Sequence, residues 1–279
     1  MELDPADGGA VSTDDSQLII GMGDMGTIGI FDSEGGLSTE LGYGVGALGP
    51  GTDYGGTMTI SYGDDVSNYP NIQYHLPADL LPFGLGAKVG YAPNLQDGQG
   101  NDFKNKGPVQ DGQLKGNNAT HYQVTAAPLD GLKVGADYFS TEGGTATAQE
   151  SESGNYYVQY AFNNFKVGYN KGHYAPPLTD KNTNATEYTN TAWGIEVAIN
   201  DQLSISYNEE ESERTVNNAY VAGASTNTKT LVTSDMETWQ IAYVLGGATA
   251  GVHVSETKDA DYTSGKEEKV TLFTLAMDF

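Results

Sequence analysis

The sequence predicts an all-β fold, a transmembrane antiparallel β-barrel. Three observations carry that expectation. Apolar residues recur with a period of two in almost every ordered-looking segment. Tight turns alternate along the chain with long polar stretches. Large apolar residues (Tyr138, Phe165, Trp193, Trp239) share one strand face, while Lys, Gln, Ser, Gly and Asp share the other.

Composition sets the outer bounds. The 279 residues suffice for one large β domain or two ordinary ones, and 37 Gly with 10 Pro lies outside the collagen and low-complexity classes. A net charge of −24 argues against nucleic acid as a partner, because phosphate-backbone binders concentrate positive charge. With no Cys there is no disulfide framework, thiolate nucleophile or Cys-based metal site. No run of about 18 apolar residues encodes a transmembrane helix. Strands of roughly 9 to 11 residues can still span a bilayer, and their polar alternate positions keep mean hydropathy low, here −0.43. The opening MELDPADGG has neither a basic n-region nor an apolar h-region, which reads as a leader already removed or a start inside a longer gene.

The strand signal is easiest to see in a repeated phrase. AKVG (Ala87 to Gly90), LKVG (Leu132 to Gly135) and FKVG (Phe165 to Gly168) recur, and IQYHL, YQVTA and VQYAF precede them. Each unit reads as strand, turn, strand, with Pro128-Leu129-Asp130-Gly131 and Asn163-Asn164 as hairpin turns. The rhythm continues with changed letters. WGIEVAINDQLSISY turns at Asn200-Asp201, TWQIAYVLGGATAGVHV turns at Gly246-Gly247, and KVTLFTLAMDF closes the chain with Phe273, Leu275, Met277 and Phe279 on one face. Strands are expected at about 16 to 22, 25 to 31, 69 to 77, 84 to 92, 118 to 127, 131 to 140, 152 to 162, 164 to 173, 185 to 199, 201 to 211, 234 to 245, 247 to 258 and 268 to 279, thirteen in all. Long polar loops, including Ser212 to Thr233 and Asp259 to Glu267, lie at the end opposite the short turns, the asymmetry of an outer-membrane barrel. A secreted β-sandwich or β-solenoid would share the alternation but not that asymmetry.

The facing of each strand follows from solvation energy. Lys on the lipid face near the bilayer midplane costs roughly 2 to 4 kcal/mol, so Lys88, Lys133 and Lys166 are expected to face a watery lumen. Parity puts Gln73, Gln123, Gln159, Gln240 and Glu196 on the same pore-lining face, with Lys166 and Glu196 placed to pair. Gly90, Gly135 and Gly168 also face inward, where a missing side chain eases bending and narrows nothing.

In its letters the chain resembles a Gram-negative general porin of the alphaproteobacterial type. The resemblance rests on the aromatic last strand ending in Phe279, on GDMGTIGIFDS (Gly23 to Ser33) as the strand entering a constriction loop, and on SEGG (Ser33 to Gly36) within that loop. It implies a trimer of 16-stranded barrels in the outer membrane, passing ions and small hydrophilic solutes, with Phe279 as the C-terminal assembly signal. It also implies that the loop 32–68 folds into the lumen after the fifth strand of a single domain, 1–279, that lacks its first three strands. An antiparallel closed barrel needs an even strand number, so an odd number is missing from thirteen. Residues 1–15 then read as the tail of an external loop, and GTMTISY (Gly56 to Tyr62) as part of the constriction loop.

Asp32, Glu34, Glu40, Asp53, Asp64 and Asp65 cluster in that loop, either as a solvated acidic stretch or as a carboxylate ring favouring cations at a constriction. GVGALG (Gly44 to Gly49) fits GxGxxG but no helix follows it, so it reads as a glycine-rich loop packed in the lumen rather than a dinucleotide site. His75, His121 and His253 face inward on separated strands, which argues against metal ligation. No catalytic triad, EF-hand or cofactor motif is present, so no enzyme activity or cofactor is expected. A passive diffusion channel is the leading reading. A substrate-selective channel would need a continuous row of inward aromatics, of which Tyr157 alone is evident. A surface or adhesin-type barrel using its long loops for partners is the reading from a different class.

Overall fold

The alternating segments form strands because successive side chains then reach opposite faces, one apolar and one polar. The computed structural model describes residues 3–5, 11–13, 16–32, 34–52, 54, 58, 60, 62–77, 80–93, 95, 117–143, 148–178, 185–218 and 228–277. In chain order the strands are β1 (Leu3–Pro5), β2 (Val11–Thr13), β3 (Ser16–Gly21), β4 (Thr27–Asp32), β5 (Asn71–His75), β6 (Gly86–Ala92), β7 (Asn118–Leu129), β8 (Leu132–Glu142), β9 (Glu152–Phe162), β10 (Phe165–Ala175), β11 (Ala185–Ala198), β12 (Leu203–Asn218), β13 (Thr228–Leu245), β14 (Ala248–Lys258) and β15 (Glu268–Met277).

Strands β3 to β15 form one 13-stranded sheet in which each strand pairs with its sequence neighbours, antiparallel throughout. The thirteen expected strands are therefore all present. Among the described residues strands β1 and β2 pair with each other alone, so part of the segment read as a loop tail is a small separate ladder. Among the described residues β3 and β15 each have one strand neighbour, and both run in the same direction. No helix among these residues is long and apolar enough to cross a membrane.

Turn chemistry sets the hairpins as expected. Gly131 (φ 76°), Asn163 (φ 52°) and Gly246 (φ 63°) supply the left-handed residue that a tight hairpin turn requires. The expected loop Ser212 to Thr233 is instead mostly strand. β12 and β13 continue their ladder to Asn218 and Thr228, giving strands of 16 and 18 residues, longer than a bilayer needs. Val216, Leu231 and Val232 are scattered among polar residues in that extension, so no hydrophobic alternation marks it, yet its Thr and Val residues favour extended backbone.

One face of the sheet is an apolar band. Val124, Val158, Val167, Ile195 and Ile241 are exposed there, and Tyr122, Tyr138, Tyr156, Trp193 and Trp239 border them on the long-loop side. Trp193, Tyr207 and Trp239 pack in a row, with ring centroids 5.5 and 4.8 Å apart. Directly beside the tryptophans in register stand carboxylates that begin the polar zone, Glu209 opposite Trp193 and Glu237 opposite Glu209. Apolar residues bounded by aromatic girdles match a strand wall in lipid.

The other face is polar and concave, and the loop 34–68 lies against it. Ile195→Lys, in the middle of the apolar band, is expected to lower folding stability in lipid vesicles by about 2 to 4 kcal/mol, whereas Thr191→Lys, beyond Trp193, costs about 1 kcal/mol or less. Denaturant titration of the two variants checks this, and equal costs would remove the band from the bilayer.

Candidate functional site

The loop between β4 and β5 crosses the concave face strand by strand. Its described residues form no ladder of their own, and burial of bare peptide groups is costly, so wall side chains supply the missing partners. Carbonyls are met by donors from the wall. The Nε2 of Gln73 donates to Gly35 O, that of Gln123 to Leu37 O at 2.8 Å, that of Gln159 to Tyr43 O at 3.0 Å, and that of Gln240 to Gly49 O at 2.8 Å. Asn208 Nδ2 donates to Val45 O at 2.5 Å and Lys166 Nζ to Gly44 O at 3.2 Å.

Loop amides are met by acceptors. Thr39 N–H donates to Asp137 Oδ1 at 2.7 Å, Ala47 N–H to Ser206 Oγ at 2.8 Å, Leu48 N–H to Gln240 Oε1 at 2.9 Å and Gly46 N–H to Glu196 Oε2 at 3.5 Å. Reading along the loop from Gly35 to Gly49, the partners step from β5 through β7, β8, β9, β10, β11 and β12 to β13. The return leg is held by Glu210, which accepts from Tyr43 Oη at 2.7 Å and Thr52 N–H at 3.3 Å, and by Ser151, which donates to Asp64 at 2.5 Å.

The glycines of the Lys-Val-Gly phrases make room for this loop. A Cβ on Gly168 would meet Tyr43 O at 2.5 Å, and one on Gly90 would meet Leu37 and Val66 at 3.1 Å. Gly135 is covered by Tyr157. For Gly90 and Gly168 the expectation that they only ease bending is corrected: their bare backbone is what lets the loop approach the wall.

All the wall positions expected to line a pore fall on the concave face, but they divide by contact. Gln73 and Gln240 are fully enclosed by the loop, whereas Lys133 is exposed and Lys88 half-buried, on the short-turn side of the loop. Lys166 and Glu196 stand opposite in register and form an ion pair at 2.8 Å. Among the described residues Lys88 and Lys133 have no ion-pair partner.

The described loop carboxylates have different partners. Asp65 accepts from Leu37, Ser38 and Ser67 amides at 2.9, 2.5 and 2.8 Å and lies 3.7 Å from His121, which also meets Asp137 at 3.2 Å. Burial alone would raise the Asp65 pKa, but His121 and these amides hold it below the ordinary carboxylate value. Burial and then the Glu210 carboxylate push the Tyr43 hydroxyl far above its usual value, so it stays a donor. Asp64 is engaged by Ser151, Glu34 by the Gly35 amide at 3.3 Å, and Asp32 closes β4 opposite Ser16. Glu40 is exposed on the loop. Asp53 and Phe279 lie outside the described residues. The packed-lumen reading of Gly44 to Gly49 holds, since Gly44, Gly46 and Gly49 all bond to the wall. Of the Gly56 to Tyr62 stretch, Met58, Ile60 and Tyr62 are described and none is in a strand. Among the described residues no three potential ligands gather as a metal site.

The residues missed at the sequence level are Asp137, Ser206, Asn208 and Glu210. Each is polar at an inward parity position in mid-strand, which was a usable signal for facing but not for partner.

Comparison of the fold with solved structures finds several barrels. An anion-selective porin from Comamonas acidovorans superposes with a TM-score of 0.61 at 11% identity, over 94% of this chain and 76% of that one. The chain has the fold of the outer-membrane β-barrels. OmpT, an outer membrane protein of Vibrio cholerae, gives 0.53 at 13% identity over 95% and 79%, and its loop L8 deletion mutant 0.52 at 15% over 98% and 83%. No family model and no curated protein matches the sequence.

Gln159→Leu leaves the Tyr43 carbonyl without its donor. It is expected to lower unfolding stability by about 1 to 3 kcal/mol and to open the loop to chymotrypsin at Tyr43, with the strands intact. An unchanged digestion pattern would remove Gln159 from the clamp. Acid should act through Asp65. Its folded pKa is depressed, so its stabilising effect is present above the unfolded value near 3.9 and is lost only as pH falls through the lower folded value. Amide exchange at Leu37 and Ser38 should therefore stay slow at pH 5 and accelerate well below about 3.9, and Asp65→Asn should abolish the transition.

Proposed function

We propose that this protein is an outer-membrane channel for passive diffusion of ions and small hydrophilic solutes. The observation that carries the reading is the placement of one long loop across the polar concave face of a sheet whose convex face is apolar. Such a loop narrows a passage without closing the wall, and its position is fixed by the side-chain clamp. Fold likeness to a barrel described as an anion-selective porin supports the same reading. The resemblance of Gly23 to Ser33 and of the last strand to general porins adds that the wall reaches sixteen strands and that three barrels assemble. Closing β3 directly on β15 would make a parallel pair, whereas an odd number of further strands between them restores antiparallel pairing and leaves no edge in lipid.

Charge placement sets the selectivity in this reading. Asp64 and Asp65 are tied to the wall or the loop backbone, and Lys166 is neutralised by Glu196. Among the described wall residues, Lys88 and Lys133 are charges without an ion-pair partner on the short-turn side. The net charge of −24 enriches cations at the mouths, and the two lysines oppose them further in. The result is a weak cation preference, set by the balance of the two.

Single-channel recording of the folded protein in planar bilayers tests the proposal. Steady ohmic conductance is expected, with reversal potentials shifted a few-fold further toward cations in Lys133→Glu. Silence from protein shown to be folded would overturn the channel reading and favour a surface barrel. An unchanged reversal potential in Lys133→Glu would place that lysine outside the passage.

A further inference from the structure

The concave face carries an aromatic arc that the diffusion reading does not use. Tyr174 on β10, Tyr188 on β11 and Arg214 on β12 stand side by side in register, beyond the aromatic girdle at the long-loop end. The Tyr174 and Tyr188 rings are near-parallel, 20° apart with centroids at 6.0 Å. Tyr262, from the turn between β14 and β15, completes the arc. Its ring lies 5.4 Å from Tyr188 and its hydroxyl 2.7 Å from Ser212 Oγ. The guanidinium of Arg214, the chain's only arginine, sits over the Tyr262 ring at 4.9 Å. At the other end Ser151 donates to Asp64, and the loop's Gly63 abuts the Tyr174 ring. All four arc residues are half-buried, so part of each remains open to the mouth.

The turn that delivers Tyr262 is strained. Asp259, Asp261 and Tyr262 have φ of 49°, 52° and 54°, left-handed values that non-glycine residues adopt at a cost. The strain is held by the Ala260 to Lys266 backbone bond and by the Lys266 to Asp261 ion pair at 2.6 Å. Asp tolerates this region, so the cost falls on Tyr262, a bulky residue that seldom adopts it. The turn is bent so that a tyrosine leans over the wall.

We infer that Tyr174, Tyr188, Tyr262 and Arg214 form an entry site for a neutral saccharide, which would make the proposed channel sugar-preferring; the inference rests on the channel reading only for what happens after binding. A pyranose ring has an apolar C–H face that lies on an aromatic face and hydroxyls around its edge. The arc offers the matching surface: three phenol rings with polar tips, a cationic donor at one end and a carboxylate acceptor at the other. An anionic ligand is disfavoured, because Arg214 is already engaged by the Tyr262 ring and carbonyl and the chain around it is strongly acidic.

The test is calorimetric titration of the refolded full chain in detergent with maltohexaose and, separately, with hexagalacturonate. Saturable maltohexaose binding is expected, at least about fivefold tighter than the uronate, weakened about tenfold by Tyr188→Ala and changed less than about twofold by Tyr188→Phe, which keeps the ring. No saturable binding, tighter uronate binding, or equal affinity in Tyr188→Ala would overturn the site. If Tyr188→Ala does not refold, the comparison of the two oligosaccharides on the unaltered chain decides alone. Conduction without binding sinks this site and leaves the channel; binding without conduction does the reverse.

Discussion

A buried peptide group must be hydrogen-bonded, and a loop that lies inside a curved sheet has no neighbouring strand to meet that demand. In this protein the wall meets it with side chains. Amides of Gln73, Gln123, Gln159 and Gln240 take the carbonyls, and Asp137, Ser206 and Glu210 take N–H and O–H donors. Other features of the concave face follow from that constraint. Gly90 and Gly168 are bare because the loop touches them. Lys166 is neutralised by Glu196 because it approaches the loop as well, donating to Gly44.

The same constraint separates what was legible in the sequence from what was not. Strand existence, the Asn163 and Gly246 turns, and the facing of Lys88, Val89 and Gly90 all follow from a period of two and local turn chemistry, and all are present. Lys166 opposite Glu196 was legible too, because the Asn163-Asn164 turn and the alternation on both sides place them at one depth. The clamp was not. Its bonds join residues such as Tyr43 and Glu210, 167 positions apart, and nothing local to either residue names the other. Glutamines at inward positions read naturally as a wet wall, yet Gln73 and Gln240 are enclosed.

Two further features were hidden for the same reason. The acids of the loop are close in sequence and read either as a solvated stretch or as a ring, yet two adjacent ones meet different strands of the wall. Asp65 meets His121 on β7 while Asp64 meets Ser151 at the start of β9. The aromatic arc escaped notice because Tyr174, Tyr188 and Tyr262 share no spacing, and Tyr262 reaches the wall only through left-handed residues that composition does not flag. Outside the sheet the logic is simpler: an apolar band bounded by Trp193 and Trp239 depends only on residue type and parity.

The clamp is open to one direct measurement. The chain has no cysteine, so an introduced pair reports without background. Ala47 N–H lies 2.8 Å from Ser206 Oγ, which brings the two residues within disulfide reach. In the double variant Ala47→Cys, Ser206→Cys, mild oxidation of the folded protein in vesicles should yield a disulfide in nearly all chains, as fast as in a control pair at the registered wall positions Ser206 and Gln240. Ready cross-linking of the control with none between Ala47 and Ser206 would place the loop outside the lumen and contradict the account.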